Sequence, residues 1–365
     1  MTDLTPSSHS IVTLNSLSDQ ALQDFLLTGV SRTFALTIPQ LPARLYPAVA
    51  NAYLLCRIVD TVEDEVSLSV AEKQQFCARF IEVVKTGQNA QTFSDQLTPL
   101  LSTKTLATER QLIQLTPRVI TMTHQLAPAQ IEALANCVEV MGKGMSSFQG
   151  VNLSAGLMTL KHMDDYCYYV AGCVGEMLAK LFCHYSSDIA KHETELLTLS
   201  VSFGQGLQMT NILKDIWDDA QRGVCWLPQD VFQDLGFKLT DLKPGLQSPA
   251  FQCGLERLIS IAQQHLANAL RYTLLIPAYE TGIRKFCLWA LGMAVLTLRN
   301  IKKHLDFTQG KQVKISRFSV KTTIWLSHFT VQSDSILSLL FSRMSHPLKM
   351  PEWQYLSHLP QPIQS

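Results

Sequence analysis

Two short acidic clusters contain the residues of this chain that are best suited to do chemistry. They read D-T-V-E-D at residues 60–64 and D-I-W-D-D at residues 215–219, so both follow the spacing D-x-x-[ED]-D. On an α-helix, positions i, i+3 and i+4 share one face, so each cluster would direct three carboxylates to the same side. Such a concentration of like charge calls for a cation. Mg²⁺ fits, because it binds through a few carboxylates together with the oxygens of a phosphorylated substrate.

We therefore predict that two helices bind Mg²⁺ and a diphosphate. The predicted metal ligands are Asp60, Glu63, Asp64, Asn211, Asp215, Asp218 and Asp219. Because the clusters are more than 150 residues apart, they can act on one substrate only if both helices belong to one bundle. A solvated charged stripe is the ordinary alternative for an acidic helix. Residues 44–62, however, contain only Arg44, Arg57 and Asp60 as charged residues, which favours an interior polar seam.

Polar residues that could contact the diphosphate stand next to both clusters at helical spacing, and four more residues precede the first acidic helix. They are Tyr53, Arg57, Gln208, Asn211 and Arg222, and the tetrapeptide Ser31, Arg32, Thr33 and Phe34. A guanidinium such as that of Arg222 can hold a phosphate through two parallel hydrogen bonds. The alternative for the second helix, a surface ladder of ion pairs, would alternate its charges more evenly.

A third segment, residues 166–175, is aromatic at its start and rich in small residues at its end. Gly172 and Gly175 are unfavourable in a helix, so something must approach that face closely. A neighbouring helix would explain them, and beside two diphosphate-binding helices we favour a tunnel for a long alkyl ligand. Tyr166 at the entrance could face a carbocation with its ring and relay a proton.

The composition describes a globular chain with no bias toward nucleic acid. Of 365 residues, 47% are hydrophobic, and Lys plus Arg equal Asp plus Glu at 30 each. No P-loop and no G-x-G-x-x-G after a strand is present. Residues 1–20 lack the features of a signal peptide, and the longest apolar run, residues 286–298, is shorter than the roughly 20 residues that span a bilayer. We expect a cytoplasmic monomer, with peripheral contact to the cytoplasmic membrane through residues 286–298 or 320–344.

Apolar residues recur with helical periodicity along most of the chain, whereas alternating β-branched runs are scarce. The predicted helices are 18–29, 44–66, 69–86, 107–124, 128–149, 158–185, 190–221, 249–276, 281–305 and 320–344. The predicted fold class is therefore all-α. No stretch resembles a domain linker, so we predict a flexible tail at 1–17, one helical domain at 18–345 and a proline-rich tail at 346–365.

Six motifs resemble those of squalene synthases, within the squalene/phytoene synthase family, over roughly residues 28 to 320. They are S-R-T-F (31–34), Y-L-L-C-R-I-V-D-T-V-E-D (53–64), M-G-K-G-M (141–145), Y-C-Y-Y-V-A-G-C-V-G (166–175), L-Q-M-T-N-I-L-K-D-I-W-D-D (207–219) and R-G-x-x-W-L-P (222–228). The resemblance implies a single-domain isoprenoid synthase bundle with a central cavity. It also implies that Tyr166 is catalytic together with Asp60, Asp64, Asp215 and Asp219.

A further stretch, V-K-I-S-R at residues 313–317, is similar to the one that squalene synthases carry near their proposed nicotinamide site. By this resemblance Lys314 and Arg317 would bind NADPH. Ser316 and Phe318 depart from the more basic family pattern. Lys214, an expected diphosphate contact, stands where the family usually has Arg, so a forked donor is replaced by a point charge. We expect no membrane anchor of the kind that ends many eukaryotic members, which is more similar to bacterial enzymes.

The function implied by the resemblance is that of a prenyltransferase in isoprenoid, sterol or hopanoid biosynthesis. Two farnesyl diphosphates would condense head to head through presqualene diphosphate, with reduction by NADPH to squalene. A dehydrosqualene or phytoene synthase, which omits the reduction, is the alternative enzyme. An inactive member that acts as an assembly factor or lipid-binding scaffold should have lost acidic ligands, and all six carboxylates are present. A chain-elongating prenyltransferase or terpene cyclase fits poorly, since neither D-D-x-x-D nor N-D-x-x-[ST]-x-x-x-E occurs.

Overall fold

The structure is a computed structural model that describes residues 11–31, 33–245 and 248–350. Within these ranges the chain forms helices and contains no β-strand; one isolated parallel bridge pairs Leu157 with Pro228. The predicted all-α class is confirmed. The predicted contact by Arg32 lies outside the described residues, as do most residues of the two predicted tails.

The α-helices run in chain order from α1 to α19. They are α1 Ile11–Asn15, α2 Asp19–Val30, α3 Phe34–Thr37, α4 Tyr46–Asp64, α5 Val70–Thr86, α6 Ala90–Leu97, α7 Ala107–Gln114, α8 Thr116–Thr123, α9 Pro128–Ser146, α10 Leu160–Cys167, α11 Cys173–Tyr185, α12 Ser187–Ala190, α13 Glu193–Gln221, α14 Gln229–Gln233, α15 Pro249–Leu275, α16 Thr281–Lys303, α17 Gly310–Val313, α18 Arg317–Thr330 and α19 Asp334–Ser345. A π-helical turn, Tyr168–Gly172, joins α10 to α11.

Two predicted helices are each divided in the structure. The segment predicted at 107–124 breaks at Leu115, because Pro117 cannot continue a helix and instead occupies the first turn of α8. The segment predicted at 320–344 breaks between α18 and α19. There the buried guanidinium of Arg284 donates to the carbonyl of Val331 at 3.1 Å and to the carboxylate of Asp334 at 2.6 Å, which holds the chain in a turn.

The described residues belong to two compact units, and the first contains residues 1–150 and 177–190. Its central helix is α4, which packs against α2, α5, α7, α8 and α9. Asn51, in the middle of α4, is fully buried and donates to the carbonyl of Val119 and to the hydroxyl of Thr123. Because a buried amide is stable only when its hydrogen bonds are made, this contact fixes α4 in register against α8.

The second unit contains residues 151–176 and 191–365. Its central helix is α13, which packs along α15. Between them, the imidazole of buried His265 lies 2.8 Å from the hydroxyl of Ser202, which also accepts from Asn268. The predicted single domain over 18–345 stays a prediction.

One helix, α16, is long and apolar enough to cross a membrane by length and composition. However, 67% of its most apolar 18-residue window is buried within the protein. Core helices of water-soluble proteins often meet the same criteria, so this is weak evidence for a membrane span.

Candidate functional site

The first acidic helix presents a connected row of polar side chains. The guanidinium of Arg57 donates to the hydroxyl of Tyr53 at 3.0 Å and lies 3.7 Å from the carboxylate of Asp60. It also lies 3.9 Å from Glu109 in α7, a residue that the sequence analysis missed. The only available signal was an acidic residue in the first turn of a helix, which is usually explained by the helix dipole.

Asp60 has an environment that disfavours its charged form. Burial raises the pKa of its carboxyl to about 6, and the nearby carboxylates of Asp64 and Glu109 act in the same direction, whereas Arg57 opposes them. A cation that binds beside such a carboxylate stabilises its ionised form and so lowers the raised pKa. Asp64 is exposed at the last position of α4.

The tetrapeptide at residues 31–34 leads into α3 and contacts the polar row of α4. The hydroxyl of Ser31 accepts from the backbone N–H of Phe34 at 3.0 Å, which holds the turn. The ring of Phe34 lies 5.2 Å from that of Tyr53, centroid to centroid. Thr33 is half-buried at the start of α3. The structure therefore brings Ser31, Phe34, Tyr53, Arg57 and Asp60 into one continuous set.

The end of α4 is closed by Glu65, which directly follows the acidic cluster. Its carboxylate accepts hydrogen bonds from Ser67, from the backbone of Ser102 and from Thr105. Burial alone would raise the pKa of Glu65, but these hydrogen bonds outweigh it and lower the pKa to about 2. The backbone carbonyl of Glu63 accepts from Lys73 in α5. The last turn of the acidic helix is thus fixed at both of these positions.

The second acidic helix borders a cavity of about 400 Å³. Asp215 and Asp218 supply its acidic wall, and Lys311 and Lys314 supply basic groups from the loop around α17. Gln221, Gln309 and Gly310 complete the lining. A cavity with carboxylates on one side and ammonium groups on the other has the charges needed to hold a metal ion together with a phosphate.

Gly310 keeps this cavity open. A Cβ at this position would lie 3.1 Å from Asp215 Oδ1, 3.1 Å from Asp218 Oδ2 and 2.9 Å from the backbone oxygen of Lys214. The two carboxylate oxygens therefore converge on one point that any larger residue would fill. Of the residues that line the cavity, only Asp215, Asp218 and Lys314 were predicted; Gly310 was not, since a glycine in a turn-like stretch is ordinarily explained by backbone conformation.

The remaining polar residues of α13 have different surroundings. The ammonium of Lys214 lies 3.0 Å from Asp215 and donates to Asn211. Asp219 is buried and accepts from Arg222. Burial raises the pKa of Asp219, and Arg222 opposes that effect. Asp219 and Asn211 are not among the residues that line the cavity, and Gln208 is half-buried one turn before Asn211.

The two predicted nicotinamide contacts separate in the structure. Lys314 lines the cavity, and Asn300 in α16 fixes its backbone by donating to the carbonyls of Val313 and Lys314. Arg317 does not belong to that lining and is exposed in the first turn of α18. Of these two residues, only Lys314 is therefore placed to contact a ligand beside Asp215.

Tyr166 is buried in α10 and stacks on Trp226, with centroids 3.8 Å apart and ring planes 12° apart. Trp226 follows α13. The residues directly after it are hydrogen-bonded through the backbone to the segment before α10. The backbone of Leu157 donates to the carbonyl of Leu227 at 2.9 Å, and that of Gln229 donates to the carbonyl of Leu157 at 2.7 Å. Trp226 belongs to the motif R-G-x-x-W-L-P, but nothing in that motif predicts its contact with Tyr166.

The small residues after Tyr166 allow two segments to approach closely. A Cβ at Gly175 would lie 2.2 Å from the carbonyl oxygen of Ser200, and a Cβ at Gly204 would lie 2.1 Å from that of Ala171. These contacts are between α13 and the segment around the π-helical turn. The preference for an alkyl tunnel as the cause of the glycines is thus wrong at Gly175, where helix packing explains the small residue.

The donor set fits Mg²⁺ bound partly by substrate. Among the described residues, no group of three or more His, Cys, Asp or Glu side chains is arranged to hold a metal ion by itself. Asp215 and Asp218 nevertheless converge at Gly310, and hard oxygen donors of this kind suit Mg²⁺, which usually binds through one or two carboxylates, waters and phosphate oxygens. Asp60 offers a comparable oxygen donor in the first unit.

Comparison with known proteins gives concordant results for the fold. The solved structure of TcSQS with the ligand BPH1237 aligns with a TM-score of 0.71, covering 90% of this chain and 96% of that chain at 22% identity. A dehydrosqualene synthase in complex with a ligand aligns with a TM-score of 0.56, covering 86% and 97% at 19% identity. At these identities the likeness establishes the helical fold alone.

Sequence comparison identifies the family. The squalene synthase BSS of Botryococcus braunii is 30% identical over 314 residues, which cover 83% of this chain and 63% of that protein. The chain spans between 62% and 65% of the length of this and two further curated squalene synthases. The family model described as squalene/phytoene synthase matches residues 27–319. Since this match includes both acidic helices and most of the chain, the chain belongs to the squalene/phytoene synthase family.

Proposed function

We propose that the protein is a squalene synthase, which condenses two molecules of farnesyl diphosphate and reduces the product with NADPH. The observation that carries the proposal is the cavity at α13, where Asp215 and Asp218 converge at Gly310 opposite Lys311 and Lys314. Its charges are those that a metal-bound diphosphate requires. The squalene synthases among the relatives support the choice of reaction.

Both acidic helices take part in substrate binding in this proposal. Asp215 and Asp218, with the flanking Asn211 and Asp219, would hold Mg²⁺ and one diphosphate; Asp60, with Glu63 and Asp64, would do the same in the first unit. Bound Mg²⁺ neutralises the charge of the leaving diphosphate and so favours ionisation. Lys214 and Lys314 add positive charge beside Asp215.

Arg57 and its neighbours position the first acidic helix for this work. The contacts of Arg57 with Tyr53, Asp60 and Glu109 leave its guanidinium in a fixed orientation. A guanidinium that is already held in place can donate hydrogen bonds to a phosphate without reorganising. The ring of Phe34 packs against Tyr53, and the turn held by Ser31 precedes it. In this proposal Ser31 and Thr33 would add their hydroxyl groups to the diphosphate contacts.

The chemistry begins with departure of diphosphate from one farnesyl diphosphate. The allylic cation would be attacked by the double bond of the second molecule. Loss of a proton to the released diphosphate, directly or relayed through the Tyr166 hydroxyl, would close the cyclopropane of presqualene diphosphate. Loss of the second diphosphate and rearrangement would give a second cation, to which bound NADPH would supply the hydride that yields squalene. The buried, stacked ring of Tyr166 suits this sequence, since water would quench either cation.

A dehydrosqualene synthase is the second candidate. The specific observation in its favour is that Arg317, expected to bind NADPH, is exposed on α18 and does not line the cavity with Lys314. Such an enzyme would perform the same condensation and lose a proton in the last step in place of accepting a hydride.

The deciding experiment is product analysis with purified protein, farnesyl diphosphate and Mg²⁺, with and without NADPH. Squalene formed only when NADPH is present supports the proposal. Dehydrosqualene in both incubations replaces it with the second candidate. If farnesyl diphosphate is returned unchanged in both, while a squalene synthase of known activity is active in the same buffer, the proposed activity is wrong.

A further inference from the structure

The outer face of α18 is unusual among the described surfaces of this protein. We define the α18 outer face as the residues Arg317, Phe318, Lys321, Trp325, His328 and Phe329. The side chains of Phe318, Trp325 and Phe329 are 79%, 63% and 69% exposed. Of the aromatic residues of the described chain that are exposed, only Tyr279 lies elsewhere. Large aromatics collected on one helix face mark an interaction surface, whereas single exposed ones are common.

The opposite side of α18 is firmly packed, so the orientation of the helix is fixed. The indole N–H of Trp289 in α16 donates to the hydroxyl of Ser327 at 2.7 Å. A Cβ at Gly292 in α16 would lie 2.7 Å from the side chain of Thr323, which shows how closely the two helices approach. With Thr323 and Ser327 turned toward α16, the aromatic residues must point away from it.

The charged residues on α18 and just before it along the chain are all basic. Between Asp306 and Asp334 the chain contains Lys311, Lys314, Arg317 and Lys321 and has no Asp or Glu. On α18 itself, Arg317 and Lys321 alternate with Phe318 and Trp325 along the exposed side. Helices that lie in the headgroup region of a bilayer combine aromatic residues with Lys and Arg in this way.

The helix begins earlier than predicted, and its first turn completes this face. The predicted segment began at residue 320, whereas Ser316 caps the helix by accepting from the backbone of Ser319 at 3.0 Å. The additional turn adds Arg317 and Phe318 to the side that carries Lys321 and Trp325. Without that turn, the face would consist of Lys321, Trp325, His328 and Phe329 alone.

We propose that the α18 outer face docks on the surface of a membrane that contains anionic lipids. The aromatic rings would enter the headgroup region while Arg317 and Lys321 contact lipid phosphates. The following helix, α19, also has two exposed apolar side chains, Ile336 and Leu339, which are 45% and 53% exposed. The biological reason rests on the proposed function, because a farnesyl chain and a hydrocarbon product partition into a bilayer. The docking itself requires only the surface.

The test is flotation of the full-length protein with vesicles, without substrate. One set of vesicles is phosphatidylcholine alone, and the other contains about one third phosphatidylglycerol, for which we expect tighter binding that weakens with salt. Trp325→Ala combined with Phe329→Ala should weaken binding to both sets at least about tenfold. Lys321→Glu should weaken binding to the anionic set by about tenfold and change the neutral set little.

Matched controls distinguish vesicle binding through the α18 outer face from nonspecific binding to vesicles. Tyr279→Ala combined with Met158→Ala removes exposed apolar groups elsewhere, and Lys180→Glu makes the same charge change on α11. Both should bind vesicles as the parent protein does. Quenching of tryptophan emission by brominated lipid should occur in the parent and fall in Trp325→Phe, which keeps the surface but removes its indole.

Several results would overturn the proposal. These are absence of vesicle binding by the parent, binding by the surface variants equal to that of the parent, or protection of the Trp325 side chain from hydroxyl-radical labelling before any vesicle is added. The last result would mean that another part of the chain or a second copy covers the face. A protein that binds vesicles through α18 but makes no squalene would contradict only the proposed function.

Discussion

The two acidic clusters share a spacing but differ in what surrounds them. In α4, Asp60 lies among groups of its own unit and is linked through Arg57 to Glu109. In α13, Asp215 and Asp218 open onto a cavity whose other wall carries lysines. The first arrangement fixes a carboxylate before any ligand binds; the second leaves space for the ligand. The same sequence motif thus produces a supported site in one unit and an open site in the other.

The helices also differ in what anchors them. The buried anchor of α4 is the Asn51 amide, which does not titrate between pH 2 and 12. The anchor of α13 is the contact between Ser202 and His265, which contains a titratable imidazole. Acid should therefore weaken the surroundings of the second cluster before those of the first.

The most severe test of the comparison removes one central carboxylate from each cluster. We expect Asp60→Ala and Asp215→Ala each to lower the rate of squalene formation by roughly a thousandfold or more, because each loses a charge that offsets the bound metal. Gas chromatography of the extracted hydrocarbon measures this. Asp95→Ala, which alters an exposed Asp that pairs with Gln91, is the control. Near-normal product from either cluster variant would contradict the proposed mechanism.

The second prediction concerns acid stability. Burial lowers the pKa of His265 to about 4, whereas the unfolded chain protonates it near 6.5. Between these values the unfolded state binds more protons, so stability falls as the pH falls. The loss from this one group approaches ~3 kcal/mol at pH 4, with none above about pH 7. Hydrogen exchange should show α13 and α15 losing protection in this range before α4.

His265→Asn provides the matched variant for that experiment. It keeps a polar partner for Ser202 but cannot take up a proton, so its stability should change less between pH 7 and pH 4.5 than that of the parent. An equal pH dependence in both proteins would show that other groups control the acid response. The neighbouring charged pair, Arg271 with Glu195 at 3.5 Å, is the first to examine in that case.

The third prediction tests whether the cavity at α13 depends on the absence of a side chain at Gly310. Gly310→Ala should reduce squalene formation about 10- to 100-fold, because its methyl group would displace the oxygens of Asp215 and Asp218 from their common point. Gly142→Ala is the control, since its Cβ would come no closer to another side chain than 3.4 Å, the distance to the methyl of Ile81. If the two substitutions have equal effects on squalene formation, or if neither has an effect, the role that we assign to Gly310 is wrong.

The smallest expected effect distinguishes the two arginines. Arg57→Lys should lower the rate about tenfold, because an ammonium cannot contact Tyr53, Asp60 and Glu109 at once. Arg222→Lys should change the rate by less than about threefold, because the Arg222 side chain is 66% exposed and a lysine can reach Asp219. A larger effect at Arg222 would indicate that it contacts the diphosphate directly.

Much of the fold and the acidic helices themselves could be predicted, because periodicity and spacing are local properties. The helices α4, α5, α9, α15 and α16 begin and end within a few residues of the predicted bounds. The break between α18 and α19 could not be predicted, since it depends on Arg284, nearly 50 residues earlier in the chain. Helix-breaking residues were absent from that position.

In the site, too, contacts within one helix could be predicted, whereas contacts between residues distant in sequence could not. The polar row Tyr53, Arg57 and Asp60 follows from helical spacing, whereas Glu109 joins it only because α7 packs against α4. Trp226 reaches Tyr166 because two loop segments pair through backbone hydrogen bonds that carry no signature in the side chains. In both cases, residues distant in sequence supply the missing partner.

The division of the chain between the two units has a consequence for its synthesis. The first unit takes residues 1–150 and then Met177–Ala190, while the intervening residues 151–176 belong to the second. On the ribosome, the first unit cannot be completed until residue 190 has emerged, by which time part of the second unit is already exposed and has no partners. A fragment that stops at residue 150 would lack the buried Phe182 and Ile189. Expression of either unit as a separate contiguous piece should therefore yield aggregated protein.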